Sequence, residues 1–488
     1  MEKINKNVEV LVKEIRAAYG NSGDLNTRVI KAGDINIGVF FMESSSATAN
    51  ISDFIMKGIN FITSKESAFD DLYNALKNSI FNSQVITTKD FSQFPYFISS
   101  GFTIIVVDGN DEAIVMETRA ALDRGVTEST SEPVVRGPKD SFTESHAKNL
   151  GLIRKRIKDS NLWFEEVKVG RRTQTRVSIA YINNVADKKN IKQIKDILNK
   201  IDVDGILDGG NLREYFLEEE SFFPQILSTE RPDLACQSLL NGKIVILVEN
   251  SPFVLILPNV FMDFMHTTED QYQKPWNISF TRVLKVLALV ITLFTPAIYI
   301  AITTFDQTVV PDKLLISLAV QREGVPFPTF FEIILLMAIF EILRESDIRL
   351  PSTMGASMSI VGALVLGQAA VDAGIVSPIA VIVVAITSIC SLIFNDPDFM
   401  NGIRAWRFIF ILAATFFGLI GVVAAGLVWI IKMASLNTLG VPFLAPFSPL
   451  VLSGQKDAIA RFPLPKIFKR PEYLKQKNRF KQGGKHEK

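Results

Sequence analysis

The feature that most constrains this chain is where its apolar runs begin. Up to about Phe280 charged residues are dense, and no run approaches the roughly 18 to 20 apolar residues that span hydrocarbon; from Val283 to about Met433 such runs recur. The hydrophobic share of 48% and the mean hydropathy of +0.24 average these two halves and describe neither. The pattern predicts an α/β two-lobed soluble N-terminal domain followed by an α-helical polytopic membrane domain. By residue, 1–132 and 133–281 read as two α/β subdomains, 282–454 as four to six hydrophobic segments, and 455–488 as a basic tail with Lys466, Lys469, Arg470, Lys475, Lys477, Arg479 and Lys481. The net charge of +1 conceals that local excess, which suits an anionic leaflet. The start lacks the apolar core and small-residue cleavage site of a secretory signal, so the first domain is expected in the cytosol. Cys236 and Cys390 lie in different regions, and neither a disulfide nor a cysteine-based metal site is expected.

Within the soluble half the sequence repeats itself at an offset of about 140 residues. "INIGVFFMES", followed by the helical "ISDFIMKGINFI", matches "VSIAYINNVA" followed by "IKQIKDILNKI". At nearly the same offset "FTIIVVDGNDEAIVMET" matches "KIVILVENSPFVLILPN". Each reads as a hairpin, two β-branched apolar runs around a turn-forming DGND or ENSP. The order strand, helix, helix, hairpin thus occurs twice, with a joint near Pro133 to Pro138. After the joint, Ser141 and Glu144 have the spacing of a capping box and predict a helix running to about Lys158. Its Arg154, Arg156 and Lys158 lie where the macrodipole favours cations and are expected on a solvated face. Acidic neighbours argue against nucleic acid as a partner.

No constellation points to catalysis. His146, His266 and His486 are widely separated and lack metal-ligand spacing, and no phosphate-binding loop, dinucleotide fingerprint or GxSxG elbow occurs. The chain reads as a non-enzyme with no metal or cofactor.

Five apolar segments can be drawn in the second half: about Val283 to Thr304, Phe330 to Leu343, Met354 to Gly374, Ile375 to Phe394, and Phe408 to Met433. The second carries Glu332 and Glu341, whose spacing turns a helix through about 900° and sets them on opposite sides. One is expected to face the protein interior and the other the interface, or the segment to be re-entrant. With the first domain in the cytosol, the positive-inside rule puts the basic tail there too and requires an even number of crossings. Five is odd, so either the Glu-bearing segment does not cross or the Pro-rich "LGVPFLAPFSPLVL" dips in as well.

The stretch "TMGASMSIVGALVLGQAAVDAG" is weakly apolar for a span, and a helical wheel divides it. Ala356, Ser359, Ala363, Gly367, Ala370 and Gly374 form a stripe of small residues that permits close helix packing. Well round from it, Ser357, Val361, Leu364, Gln368 and Asp372 form a second stripe, polar at both ends and apolar in the middle. That is the pattern of a water-filled path with a hydrophobic constriction, which makes these five candidate pore-lining or gating residues. The plainer alternative is that Gln368 hydrogen-bonds a neighbouring helix and Asp372 sits at the interface.

Several stretches together carry a resemblance: "RGPKDSFTES", "LIRKRIK", "GRRTQTRVSIAYI" and "ERPDLACQSLLNGKIVILVENSPFVLILP" in the soluble half, then "VPFPTFFEIILLMAIFEILRESDIRLP", "IVGALVLGQAAVDAGIVSP" and "GVPFLAPFSP". On these the chain resembles the A subunit family of the GerA-type spore germinant receptors. The resemblance implies a multi-pass protein of the spore inner membrane, both termini cytosolic, in contact with membrane lipids. It implies assembly with a permease-like B subunit and a lipoprotein C subunit, and homo-oligomerisation into a ligand-gated ion channel that triggers germination. Two alternatives stand beside it. One is a secondary transporter subunit, with Glu332, Glu341, Gln368 and Asp372 on a substrate or coupling ion; the other is an auxiliary A-like scaffold protein that assists other receptors. Ser346 stands where the family more often has alanine, at a position with no implied role.

Overall fold

The computed structural model describes residues 3–20, 22–63, 69–79, 85–120, 132–134, 136–217, 221–349, 367–452, 454–476 and 478–481. The soluble half holds two five-stranded sheets. In lobe 1 the strands are β1 Leu25–Ala32, β2 Ile35–Met42, β3 Val85–Thr88, β4 Phe102–Val107 and β5 Ala113–Glu117, in the order β1-β2-β4-β5-β3. In lobe 2 they are β6 Leu162–Val169, β7 Thr175–Ile182, β8 Leu227–Thr229, β9 Ile244–Val248 and β10 Val254–Leu257, in the order β6-β7-β9-β10-β8. The duplication read from the sequence is therefore a duplication of topology. Helices fall at matching places: Val8–Ala18 and His146–Arg156 precede the first strand of each lobe, and Phe94–Ser99 and Pro232–Leu240 precede each closing hairpin. Strands β4 and β9 are buried along their whole length. Helices cover both faces of each sheet, which is why these strands read as continuous apolar runs rather than alternating ones.

Lobe 1 closes its two faces by itself. Ile37, Val39, Ile105 and Val107 pack under Ile51, Ile55 and Ile59, and Phe40, Ile104 and Val106 pack under Val8, Leu11, Phe94 and Ile98. Lobe 2 closes one face in the same way, with Ile179 and Ile246 under Ile191 and Ile194. Its other face, with Ala180, Val245 and Leu247, belongs to a core that continues into the helical domain through Phe399, Phe410, Leu289 and Leu293.

Two expectations about the joint between the lobes are corrected. The helix after it starts at His146 and ends at Arg156; Ser145 holds the N-cap position without a side-chain bond. Ser141 and Glu144 do not form a capping box, because Asn149 reaches back instead and its Oδ1 accepts from the Thr143 N–H at 2.8 Å. Arg154 is not solvated at all. It is fully buried, donating from Nε to Asp24 Oδ2 at 3.0 Å and from Nη2 to Asp24 Oδ1 at 3.1 Å and Ser22 Oγ at 3.2 Å. Its guanidinium also lies 4.8 Å from the centre of the Phe164 ring. The macrodipole explains a cation at that end of the helix, but the turn carrying Asp24 comes from the other lobe.

The helical part begins at Pro275, inside the range read as the second subdomain, and comprises Pro275–Thr304, Asp312–Gln321, Thr329–Arg349, a helical end at 367–372, Pro378–Ser391 and Pro397–Ser435. Among the described residues, Pro275–Thr304 and Pro397–Ser435 are long and apolar enough to cross a membrane. The second of these is not one rod. Phe294 lies 4.6 Å from Phe410 and 6.4 Å from Trp429, ring centre to ring centre, and a Cβ on Gly426 would meet Phe410 at 3.9 Å. In a continuous helix Phe410 and Gly426 would stand about 24 Å apart. The stretch is therefore two antiparallel arms of about 20 and 17 residues, roughly 30 and 25 Å long, turning at Gly418 with φ 58° and ψ −145°. The fifth apolar segment drawn from the sequence straddles this turn, which hydropathy cannot detect. After Ser435 the chain returns to lobe 2, where Leu436, Val441 and Phe443 are buried and the Phe443 carbonyl accepts from the Phe261 N–H at 2.7 Å. The first part of the Pro-rich stretch is thus a lobe 2 element.

Candidate functional site: paired charges in the helical domain

The Thr329–Arg349 helix carries both acidic residues singled out in the sequence, and the structure gives each its own neighbour. Glu332 is fully buried. Its Oε2 accepts from the Ser377 N–H at 2.9 Å and the Ser377 Oγ at 2.8 Å, and Arg322 Nη2 lies 3.4 Å from Oε1. Ser377 is the N-cap of Pro378–Ser391, with Pro378 in the first turn, so the carboxylate meets the positive end of a helix dipole and its free amide. Thr303 Oγ1, donating to Thr329 Oγ1 at 3.2 Å, fixes this cluster to the far end of Pro275–Thr304.

Glu341 turns to the first arm of the hairpin. Arg407 Nη2 donates to its Oε1 at 2.8 Å, Arg404 Nε lies 3.4 Å from Oε2, and Arg344 Nε stands at 4.0 Å. The Arg407 side chain is 2% exposed against 21% for Glu341. The two carboxylates do serve different neighbours, as their spacing requires. The expectation that one of the two would lie at the interface is not met in either case: Glu332 is buried, and Glu341 is held by three guanidinium groups of the protein. Low dielectric strengthens such pairs, and removing one partner strands a charge at a cost of about 3–5 kcal/mol.

Of the two stripes read on the wheel, Ala356, Ser357, Ser359, Val361, Ala363 and Leu364 lie outside the described residues. Gln368 and Asp372 are exposed and joined to each other, Nε2 to Oδ1, at 3.2 Å. On the same short helix Ala370 packs against the bundle core, and a Cβ on Gly367 would meet Val381 Cγ1 at 3.6 Å. Gly374 does not continue the small-residue stripe. The helix ends at 372, and Gly374 takes φ 66° with open space beside it, so it is a turn residue.

Two further polar positions escaped the sequence reading. Arg282, in the second turn of Pro275–Thr304, is 3% exposed. It donates from Nε to Asp270 Oδ2 at 2.8 Å and from Nη1 to Asp457 Oδ1 at 3.0 Å and the Ala458 carbonyl at 2.9 Å. Burial pushes the Asp270 carboxyl up, but the charge of Arg282 outweighs it and holds the group below its ordinary value. Asp306 accepts from the Leu419 N–H at 2.7 Å and so caps the second arm of the hairpin; a Cβ on Gly418 would fall 2.5 Å from that carboxylate. Nothing local in the sequence marks either partner, because Arg282 and Asp457, like Asp306 and Leu419, are distant along the chain.

Comparison with known proteins gives the family of this arrangement. A sequence profile described as Bacillus/Clostridium GerA spore germination protein matches residues 13–473. The chain is 38% identical over 481 residues to "Spore germination protein KA" of Bacillus subtilis (strain 168), covering 97% of this chain and 87% of that protein. It is 34% identical over 480 residues to "Spore germination protein GerLA" of Bacillus cereus, covering 98% and 97%. Among solved structures, the N-terminal domain of the A subunit of the Bacillus megaterium spore germinant receptor GerK3 is 26% identical, with a TM-score of 0.40, over 53% of this chain and 98% of that one. The chain belongs to the Bacillus/Clostridium GerA family of spore germination proteins.

Proposed function

We propose that this chain is the A subunit of a nutrient germinant receptor in the inner membrane of a spore, that it works with a permease-like B subunit and a lipoprotein C subunit, and that several copies together form a ligand-gated ion path. The observation that carries the reading is the pair Gln368 and Asp372, an amide and a carboxylate exposed on a bundle whose exposed residues are largely apolar. Exposed residues of the bundle such as Ile382, Ile386, Phe416 and Ile420 suit lipid, whereas a carboxylate against lipid is costly, by roughly 2.5 to 3.5 kcal/mol at the middle of a span and less toward a helix end such as that of Asp372. A water-filled axis between copies removes that cost. Glu332 and Glu341 are each engaged by arginines of the protein itself, which favours conduction over a transporter that would need them for a substrate.

The helical hairpin supports an even number of crossings. Pro275–Thr304, Thr329–Arg349, Pro378–Ser391 and the two arms meeting at Gly418, together with the apolar segment read from the sequence over Met354 to Gly374, give six, without excluding the Glu-bearing segment or enlisting the Pro-rich one. Both termini then face the cytosolic compartment.

Val361→Ala in the assembled receptor tests the reading. It removes two methyl groups from the proposed constriction and should give ion leak from spores without germinant. An unchanged leak together with an unchanged nutrient response would remove Val361 from the path.

A further inference from the structure

Lobe 2, the first turns of Pro275–Thr304 and the basic tail enclose a cavity of about 120 Å³ lined by Lys243, Asp263, His266, Asp270, Arg282, Asp457, Arg461 and Lys481 among others. That is about four waters' share of liquid volume, enough for a phosphate group. Its acids are already engaged. Asp263 takes Lys243 Nζ at 2.6 Å, and Asp270 and Asp457 both take Arg282. Among the described residues, two cations on the same wall make no such close ion pair, and only the charge of Asp457, already engaged by Arg282, reaches both of them. Arg461 is 8% exposed, and its Nη1 has no hydrogen-bond partner among the described residues. Lys481 donates to a neutral oxygen, Asn241 Oδ1, at 2.9 Å.

We propose that this cavity binds an oxyanion of the phosphate class, held by Arg461 and Lys481. A buried guanidinium N–H without an acceptor is costly, and an oxyanion supplies both the acceptor and the compensating charge. Burial pulls both Arg461 and Lys481 below their ordinary values; the charge of Asp457 works against it at both without cancelling it, and at Lys481 the charges of Arg470 and Arg461 add to it. The surroundings suit a phosphate carried on a lipid. The Arg461 N–H donates to Ser279 Oγ at 2.9 Å, at the start of a helix long enough to span, and the exposed Trp276, Phe280, Phe462 and Leu464 stand nearby in the sequence. Aromatic rings beside cations are what a membrane–water interface collects. A lipid headgroup and free phosphate share this chemistry, and the site does not depend on whether the protein conducts ions.

The full chain in neutral detergent distinguishes these sources, with binding followed by the rise in melting temperature on adding inorganic phosphate, phosphatidylglycerol or phosphatidylcholine. A saturable rise with phosphatidylglycerol alone assigns the site to a headgroup, and one with inorganic phosphate assigns it to the free ion. Arg461→Gln should weaken the binding about tenfold or more, whereas Arg461→Lys should restore most of it. Lys466→Gln removes the same charge from an exposed tail residue outside the cavity; its effect should vanish in about 0.5 M salt while that of Arg461→Gln persists. Should Arg461→Gln fail to fold, Lys481→Gln serves in its place. No saturable response to inorganic phosphate or phosphatidylglycerol, a response to zwitterionic phosphatidylcholine as large as that to phosphatidylglycerol, or equal losses in Arg461→Gln and Lys466→Gln at high salt would overturn the proposal.

Discussion

Lobes 1 and 2 have one strand order and nearly one helix order, yet only lobe 2 carries the helical domain. The difference lies in what closes the second face of each sheet. In lobe 1 the Val8–Ala18 and Phe94–Ser99 helices finish the core with Val8, Leu11, Phe94 and Ile98. In lobe 2 the matching helices leave room for an aromatic cluster, in which Phe264 stacks on Phe399 at 5.5 Å and Phe223 lies 5.6 Å from the same ring. Arg213 adds an ion pair to Asp398 at 2.6 Å, and a Cβ on Gly402 would meet the Phe222 carbonyl at 2.6 Å, so lobe 2 rests directly on the helix backbone. Duplication supplied two equal frames. Side chains that alternation does not specify made one of them a docking platform.

The largest effect is expected where the platform is removed. Phe399→Ala should cost about 3–5 kcal/mol, because the fully buried ring touches both lobe 2 and the loop between helices. Hydrogen exchange should then show lost protection in β9 and none in β4; equal losses in both strands would mean that the lobes do not differ in what supports them.

Next comes the clasp that joins the lobes. Arg154→Leu should destabilise by about 3 kcal/mol, at the lower end for a buried pair because the Ser22 and Ser44 hydroxyls still donate to Asp24 at 2.7 Å. Chemical denaturation of the purified chain measures it, and a cost under about 1 kcal/mol would reduce the clasp to an ordinary surface pair. The same contact sets an acid limit. Burial pushes the Asp24 carboxyl up, but Arg154 and the hydrogen bonds from Ser22 and Ser44 outweigh it and leave the group below 3.8. A carboxyl depressed in the folded state contributes stability that is present above its unfolded value and lost as pH falls through the folded one. The wild type should therefore lose more stability below about pH 4 than Asp24→Asn does.

The smallest effect concerns two helix starts at matching positions. Asp187 caps Lys188–Lys200, its side chain accepting from the Lys189 N–H at 3.0 Å. Its counterpart Ala47 caps nothing with its side chain. Asp187→Ala should cost about 1 kcal/mol and Ala47→Asp should gain a similar amount; thermal melts of the two variants give the sign directly, and a loss in Ala47→Asp would show that the helix beginning at Thr48 tolerates no cap.

The α/β and helical halves, the repeat, the paired hairpins and the separation of Glu332 from Glu341 were legible in the residues alone, because periodicity, turn chemistry and helical angle are local properties that any window displays. The sequence also placed Gln368 and Asp372 on one helix face, which the structure keeps exposed. The burial of Arg154 against Asp24, the hold of Asp270 and Asp457 on Arg282, and the folding back of Pro397–Ser435 at Gly418 appear only in the packed molecule. A charge reads as solvated until its partner arrives from another part of the chain, and a glycine in an apolar run reads as span until a carboxylate from a distant loop caps the turn. Those outcomes depend on contacts between distant segments, which no single window of the sequence contains.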